Sequence, residues 1–178
     1  MRIISGTHKG RHIPILKNFP SRPTTDFAKE NIFNIISNHF NFEDTAALDL
    51  FSGTGSISYE FSSRGCREII SVEKDFRSVK FINKTIHDAG LDNIRVVKYD
   101  VFKFIEKCTQ TFDIIFADPP YDLNNISFIP ELVFERKILN KNGWLILEHG
   151  KNQQFNDNQH LINTRSYGSI NFSIFENK

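Results

Sequence analysis

The chain has 178 residues, with 22 Lys plus Arg against 21 Asp plus Glu and 39% hydrophobic residues, the size and polarity of one compact domain; two full domains do not fit. Aromatics make up 13%, 18 of them Phe, so there is enough large apolar side chain for a core, and disorder is excluded. A net charge of +1 gives no global preference for a polyanion, but Arg2, Lys9, Arg11, Lys17 and Arg22 all precede the first acid, Asp26. That basic start fits either a solvated tail or a nucleic-acid contact.

No apolar leader core follows Met1-Arg2, and no run reaches the ~18 apolar residues of a membrane span. Cys66 and Cys108 stand alone, outside any disulfide or zinc spacing, so a reducing cytoplasm is the expected compartment.

In chain order, Arg2 to Ser5 and His12 to Leu16 flank turn residues and predict a small hairpin, its second arm an edge because of Pro14. Phe27, Ile32, Phe33, Ile35, Ile36 and Phe40 mark one helix face, with Thr25 or Asp26 as cap. From Ala46 strand and helix alternate. Strands are expected at Ala46 to Phe51, Glu68 to Val72, Ile94 to Tyr99, Phe112 to Ala117 and Trp144 to Leu147. Helices are expected at Ser56 to Ser63, from the Asp75 cap to Gly90, around Val101 to Lys107, and at Ser127 to Leu139, with a turn at Asn142-Gly143. Such alternation requires right-handed parallel crossovers and a doubly wound, mostly parallel α/β sheet. Tyr167-Gly168 between two β-like runs predicts a C-terminal antiparallel hairpin at one sheet edge. The domain division expected is a basic hairpin extension over residues 1–23 and a single globular unit over 24–178.

Ligands of an open parallel sheet bind beyond the carboxyl ends of its strands. After the first strand comes Asp49-Leu50-Phe51-Ser52-Gly53-Thr54-Gly55, whose glycines permit a tight turn and close backbone approach. The third glycine of a dinucleotide fingerprint is replaced by Ser58, so a cofactor without phosphates fits better than a pyrophosphate; a plain strand-to-helix turn also fits. Glu73 ends the second strand about 20 residues on, where a ribose presents its hydroxyls. Asp100 ends the third and can accept from an adenine amine. Each acid, taken singly, also fits a solvated surface or a helix cap.

The fourth strand ends in Asp118-Pro119-Pro120-Tyr121. Two prolines remove two amide donors and stiffen the loop, leaving carbonyl oxygens and a carboxylate as a rigid acceptor for an exocyclic NH₂, with Tyr121 able to stack a flipped base. A proline-stiffened, Asp-capped turn is the plainer reading. The six histidines have no ligand spacing and the serines no triad context, so no metal and no nucleophilic serine are assigned.

Together these loops resemble a class I S-adenosylmethionine-dependent methyltransferase of the amino-methylating type. Arg2-Ile3-Ile4-Ser5-Gly6, Lys9-Gly10-Arg11, Arg22-Pro23-Thr24-Thr25-Asp26, the Leu48 to Gly55 loop, Ser63-Arg64-Gly65, Val72-Glu73-Lys74-Asp75 and Asp118-Pro119-Pro120-Tyr121 occur in the order seen in the RsmD family, whose members are similar 16S rRNA guanine-N2 methyltransferases. The resemblance implies a seven-stranded Rossmann-like sheet and S-adenosylmethionine as cofactor. Asp49, Phe51, Gly53 and Gly55 would line its methionine part, Glu73 its ribose, and Asp100 with Val101 its adenine, with Lys74 also among the cofactor-binding residues. Thr24 would belong to the segment, Arg22-Pro23-Thr24-Thr25, that in the family folds over the cofactor side. Asp118, Pro119 and Tyr121 would hold the guanine, and Arg2, Lys9, Arg11 and Arg22 would face RNA. After Asp26, a bulky Phe27 precedes Lys29 where the family often has basic residues, a modest departure.

The implied substrate is 16S rRNA or a small ribosomal subunit; for the oligomeric state, a monomer is the default expectation. Methylation of adenine N6 or of another amino group, and a non-catalytic RNA-binding assembly factor, are the competing readings. The set Gly53, Gly55, Glu73 and Asp118 speaks against the last, and an NAD oxidoreductase fits worst.

Overall fold

The structure is a computed structural model and describes residues 1–14, 25–120, 123 and 125–178. Seven strands form one sheet: β1 (Ala46–Leu50), β2 (Glu68–Glu73), β3 (Ile94–Lys98), β4 (Phe112–Ala117), β5 (Leu139–His149), β6 (Leu161–Tyr167) and β7 (Ile170–Glu176). Their spatial order is β3-β2-β1-β4-β5-β7-β6. The first five run parallel, and β7 inserts antiparallel between β5 and β6. Strand order therefore reverses between β1 and β4, the crevice where such sheets bind ligands.

The helices are α1 (Asp26–Ser37), α2 (Ser56–Ser63), α3 (Phe76–Ala89), α4 (Val101–Lys107) and α5 (Phe128–Glu135). Alternation along the buried strands divides the core. Ala47, Ile69, Ile114, Phe116, Ile146 and Phe172 face α1, α2 and α3, whereas Leu48, Leu50, Val72, Ile115, Leu145 and Leu147 face α4 and α5. Short polar residues start the helices: Thr25 Oγ1 accepts from Ala28 N, Asp75 from Ser78 N and Asp100 from Lys103 N. Gly90, at φ 67°, ends α3. The Ser78 amide on its carboxylate holds Asp75 below its ordinary pKa.

Several expectations need correction. Phe27 does not share the buried face of α1; it is 67% exposed, because it lies in the first turn, beyond the sheet. Helix α5 stops at Glu135, four residues early, where Lys137 turns left-handed at φ 52°. Asn142-Gly143 is not a turn between elements but lies inside β5, where Asn142 has φ 60° and the β4 pairing slips between Phe112 and Ile114. Gly143 is required there, since a Cβ would lie 2.8 Å from Asn140 O and 2.9 Å from Asp113 O. The reversal between β6 and β7 falls on Gly168-Ser169, with Tyr167 the last residue of β6.

The first hairpin is reduced to a single bridge, Arg2 to His12, flanked by Ile3 N to Arg11 O and Ile13 N to Met1 O. Its continuation to Leu16 lies outside the described residues. Ile3 and Ile13 are 1% and 5% exposed and join the α1–α2 side of the core, so residues 1–14 are packed onto the body.

Candidate active site at the carboxyl edge of the sheet

Leaving β1, the chain adopts left-handed backbone at Phe51 (φ 59°), Gly53 (φ 52°) and Gly55 (φ 80°) before entering α2. For Phe51 that conformation costs about 1–2 kcal/mol. Surrounding bonds hold it: Ser52 N reaches Val72 O, Ser52 Oγ reaches Asp49 O, and Gly55 N reaches Ser52 O. Gly55 is also sterically required, because a Cβ would sit 2.6 Å from the buried Tyr59 ring.

Asp49 is 1% exposed and points toward α2, where its Oδ2 accepts from Ser58 N at 3.1 Å and Ser58 Oγ at 2.6 Å. Burial pushes this carboxyl up to about 7, against the two Ser58 bonds, which favour its ionised form. Glu73 closes the next strand over the same loop. Its Oε2 accepts from Gly53 N at 2.9 Å and its Oε1 from Asp75 N at 2.8 Å, which fixes the carboxylate across the two loops while each oxygen retains a second acceptor direction.

Further along the edge, Tyr99 N donates to Glu73 O, Asp100 Oδ1 caps α4, and Val101 is buried. The rings of Phe51 and Phe102 meet edge-on at 6.3 Å, bringing the α4 start against the glycine loop. Lys74 is exposed. On the other side of β1, Asp118 N donates to Leu50 O at 3.4 Å, so the proline loop begins directly beside the glycine loop. Pro119 is buried and Pro120 exposed. Asp49, Phe51, Gly53, Gly55, Glu73, Lys74, Asp100, Val101, Asp118 and Pro119 thus lie along one sheet edge, around the switch point. Thr24, Arg22 and Tyr121 lie outside the described residues.

The basic residues of the N-terminal segment do not sit together. Arg2 is at the carboxyl edge, its Nε 3.3 Å from Asp26 at the start of α1. The segment then runs down α2 and turns at its far end, where Thr7 N bonds Ser63 O and His8 N bonds Ser63 Oγ. Lys9 is exposed beyond that turn, and Arg11 donates to the carbonyls of Asp88 and Ala89 at the α3 C-terminus. Both therefore lie toward the amino edge, away from Asp118.

A buried polar cluster supports the site and was not singled out in the sequence. Glu60, fully buried, accepts from Ile4 N, Ser5 N and Arg64 Nε. Lys29, 1% exposed, donates to Arg2 O at 2.7 Å and Ser56 Oγ at 3.1 Å, with Glu60 at 3.9 Å. Burial lowers the Lys29 pKa and the Glu60 charge opposes the fall. A charged residue on an apolar helix face was the available signal for both. Ser58 had a clearer one, since it replaces the fingerprint glycine and anchors Asp49. Among the described residues, no group of His, Cys, Asp or Glu could hold a metal ion, and no helix is long and apolar enough to cross a membrane.

A doubly wound sheet with an inserted antiparallel seventh strand and acceptor loops around its switch point defines the class I methyltransferase fold. Residues 1–176 match the family described as conserved hypothetical protein 95, the RsmD family, and the chain belongs to it. It is similar to ribosomal RNA small subunit methyltransferase D of Buchnera aphidicola subsp. Baizongia pistaciae, 30% identical over 148 residues that cover 83% of this chain and 75% of the relative. Among solved structures it resembles yhhF from Escherichia coli, with TM-score 0.88, 23% identity and coverage of 100% and 98%. It also resembles an RNA methyltransferase from Salinibacter ruber in complex with S-adenosyl-L-homocysteine, with TM-score 0.67, 17% identity and coverage of 88% and 94%.

Proposed function

We propose that this chain transfers a methyl group from S-adenosylmethionine to the exocyclic N2 amine of a guanine in small-subunit rRNA. The observation that carries the reading is the Asp118 N to Leu50 O bond, which sets a rigid acceptor loop against the glycine loop at the switch point. Family membership and the small-subunit rRNA methyltransferase named among the relatives support the substrate class. Action on ribosomal particles corresponds to a cytoplasmic enzyme, and a monomer suffices for it.

The residues present fit the cofactor. Left-handed Gly53 lets the backbone approach it, Glu73 has acceptor capacity for ribose hydroxyls, and Asp100 keeps a second carboxylate oxygen for an amine, whereas Asp49, turned into α2 against Ser58, would shape the methionine side through the glycine loop rather than by contact. When bound, S-adenosylmethionine would supply an electrophilic methyl on a sulfonium, its S–CH₃ bond breaking as the new N–C bond forms and S-adenosylhomocysteine leaving. The chain's own work is orientation and charge. Asp118 Oδ and the Pro119 carbonyl accept the two N2 hydrogens, favouring the pyramidal amine whose lone pair forms the new N–C bond. Holding the amine in line supplies much of the remaining acceleration. As N2 acquires the methyl it loses one proton, to Asp118 or to water.

The test is incubation with labelled S-adenosylmethionine and small subunits lacking the modification, followed by nucleoside mass spectrometry. N2-methylguanosine is expected. N6-methyladenosine, or no transfer despite cofactor binding, overturns the assignment. Asp118→Ala should abolish transfer with cofactor affinity retained, and Glu73→Ala should chiefly weaken cofactor binding; the reverse pattern refutes these roles.

A further inference from the structure

Phe27, Phe76 and Phe128 are the exposed phenylalanines among the described residues, at 67%, 63% and 56% exposure. Each lies in the first turn of its helix, α1, α3 or α5. Helix α3 begins where β2 ends, and α5, the crossover between parallel β4 and β5, runs back toward the start of β5, so its first turn lies toward the carboxyl edge. The start of α1 lies at the same edge, because Lys29 Nζ bonds Ser56 Oγ at the start of α2. All three therefore ring the carboxyl edge, while the other described phenylalanines are buried or half-buried. Exposing a large ring forgoes about 1.5–3 kcal/mol of burial, so three on one rim call for a contact.

Phe27 is the best defined. Its ring meets Tyr167, the last residue of β6, edge-on at 6.0 Å. Register locates that pair: Ala117 aligns with Leu147, Leu147 with Ser173 and Ser173 with Thr164, so Tyr167 lies three residues past the Ala117 row, toward the edge that carries Asp118. Three interstrand steps and the strand rise put it roughly 15 Å from Asp118, a distance that a short stretch of unpaired strand spans. Two cations flank the pair. Arg165 is exposed on the same face of β6, two residues before Tyr167, and Arg2 is held beside α1 by Asp26.

We propose that Phe27, with Tyr167 at its edge and Arg2 and Arg165 beside it, is a stacking platform for an unpaired RNA base flanking the methylated nucleotide. An open ring face flanked by guanidinium groups matches the chemistry of single-stranded nucleic acid, base on ring and phosphate on cation. This rests on the rRNA reading and extends it: the substrate would be unpaired on at least one side of its target.

The experiment measures binding of a fluorescein-labelled, unstructured 12-nucleotide RNA by anisotropy to the full chain, with cofactor affinity and melting temperature measured in parallel. Phe27→Ala should weaken RNA binding on the order of ten-fold, Phe27→Trp should restore it, and cofactor affinity and melting should not move. A duplex of the same length should bind the wild type and Phe27→Ala alike. Unchanged single-strand binding by Phe27→Ala, no RNA binding by the wild type, or weakened binding to a small-subunit protein in place of RNA would each overturn the platform. Because the readout is binding, absence of methyl transfer by the wild type on subunits would sink the rRNA reading separately.

Discussion

Asp49→Asn should remove a pH dependence of stability that the wild type carries. The folded carboxyl titrates near 7 because it is buried, against about 3.8 for an ordinary aspartate. Between those values the folded chain holds a proton that the unfolded chain has lost, so stability falls as pH rises from about 4 to 7 and is level above. At 1.36 kcal/mol per pH unit, the fraction of that interval between pH 5.5 and 7 amounts to about 2 kcal/mol. Asparagine can still accept from Ser58 N and Oγ through its amide oxygen, while its NH₂ adds a desolvation cost of about 1–3 kcal/mol that does not vary with pH. The difference in slope is therefore the informative quantity. The lowered pKa values of Asp75 and His149 are common to both proteins and cancel. Urea unfolding of cofactor-free protein from pH 5.5 to 8.5 should show the wild type losing about 2 kcal/mol relative to Asp49→Asn below pH 7 and nothing further above it. Parallel curves would show that the carboxyl titrates elsewhere and that its burial against α2 is misread.

Gly6→Ala should cost about 2–4 kcal/mol, since Gly6 has φ 80° and a Cβ would fall 1.7 Å from the Ser63 carbonyl oxygen; thermal unfolding should drop by roughly 5–15 °C, and an unchanged midpoint would refute that packing. Lys29→Met leaves Glu60 with Arg64 and two backbone amides, so its cost should be about 2–3 kcal/mol, below the usual range for breaking a buried pair, with faster hydrogen exchange over residues 1–14. Exchange there at the wild-type rate would count against a clamp. Neutralising Arg2 should reduce the salt slope of RNA binding by about 0.7 for each single-strand phosphate it no longer neutralises, whereas neutralising Lys9 and Arg11, toward the amino edge, should reduce it less. Equal effects would mean that RNA follows the whole hairpin.

The parallel sheet was legible because its strands are short apolar runs separated by amphipathic segments with capping residues and glycines at their ends; Asp75, Asp100 and Gly90 act as their positions suggest. The bulge at Asn142-Gly143 was not, since a left-handed Asn followed by Gly is the same local signal whether the chain reverses or a strand merely kinks. Only pairing with β4 distinguishes them. Phe27 was misassigned for a related reason. Periodicity reports the face of a helix, but the first turn of α1 projects past the sheet, where that face has nothing to cover it.

The deeper mismatch concerns the opening residues. Composition directs attention to their cations, but the side chains and amides that the fold uses are elsewhere in the same segment. Ile3 enters the core, Ile4 and Ser5 amides meet Glu60, and Gly6 lies against Ser63. These contacts run the length of α2, from the Thr54 and Ser56 hydroxyls near Met1 and Lys29 to the Ser63 carbonyl near Thr7. Helix α2 also begins at Gly55 and receives the Asp49 carboxylate at Ser58. The N-terminal segment and the glycine loop thus share one helix of about two turns, too short and too tightly bonded to shift at one end alone. A perturbation at Gly6 or Glu60 therefore has a physical route to the glycine loop even though neither residue approaches it. The scattered cations of residues 1–14 are only the part of that segment's role that charge counting could reveal.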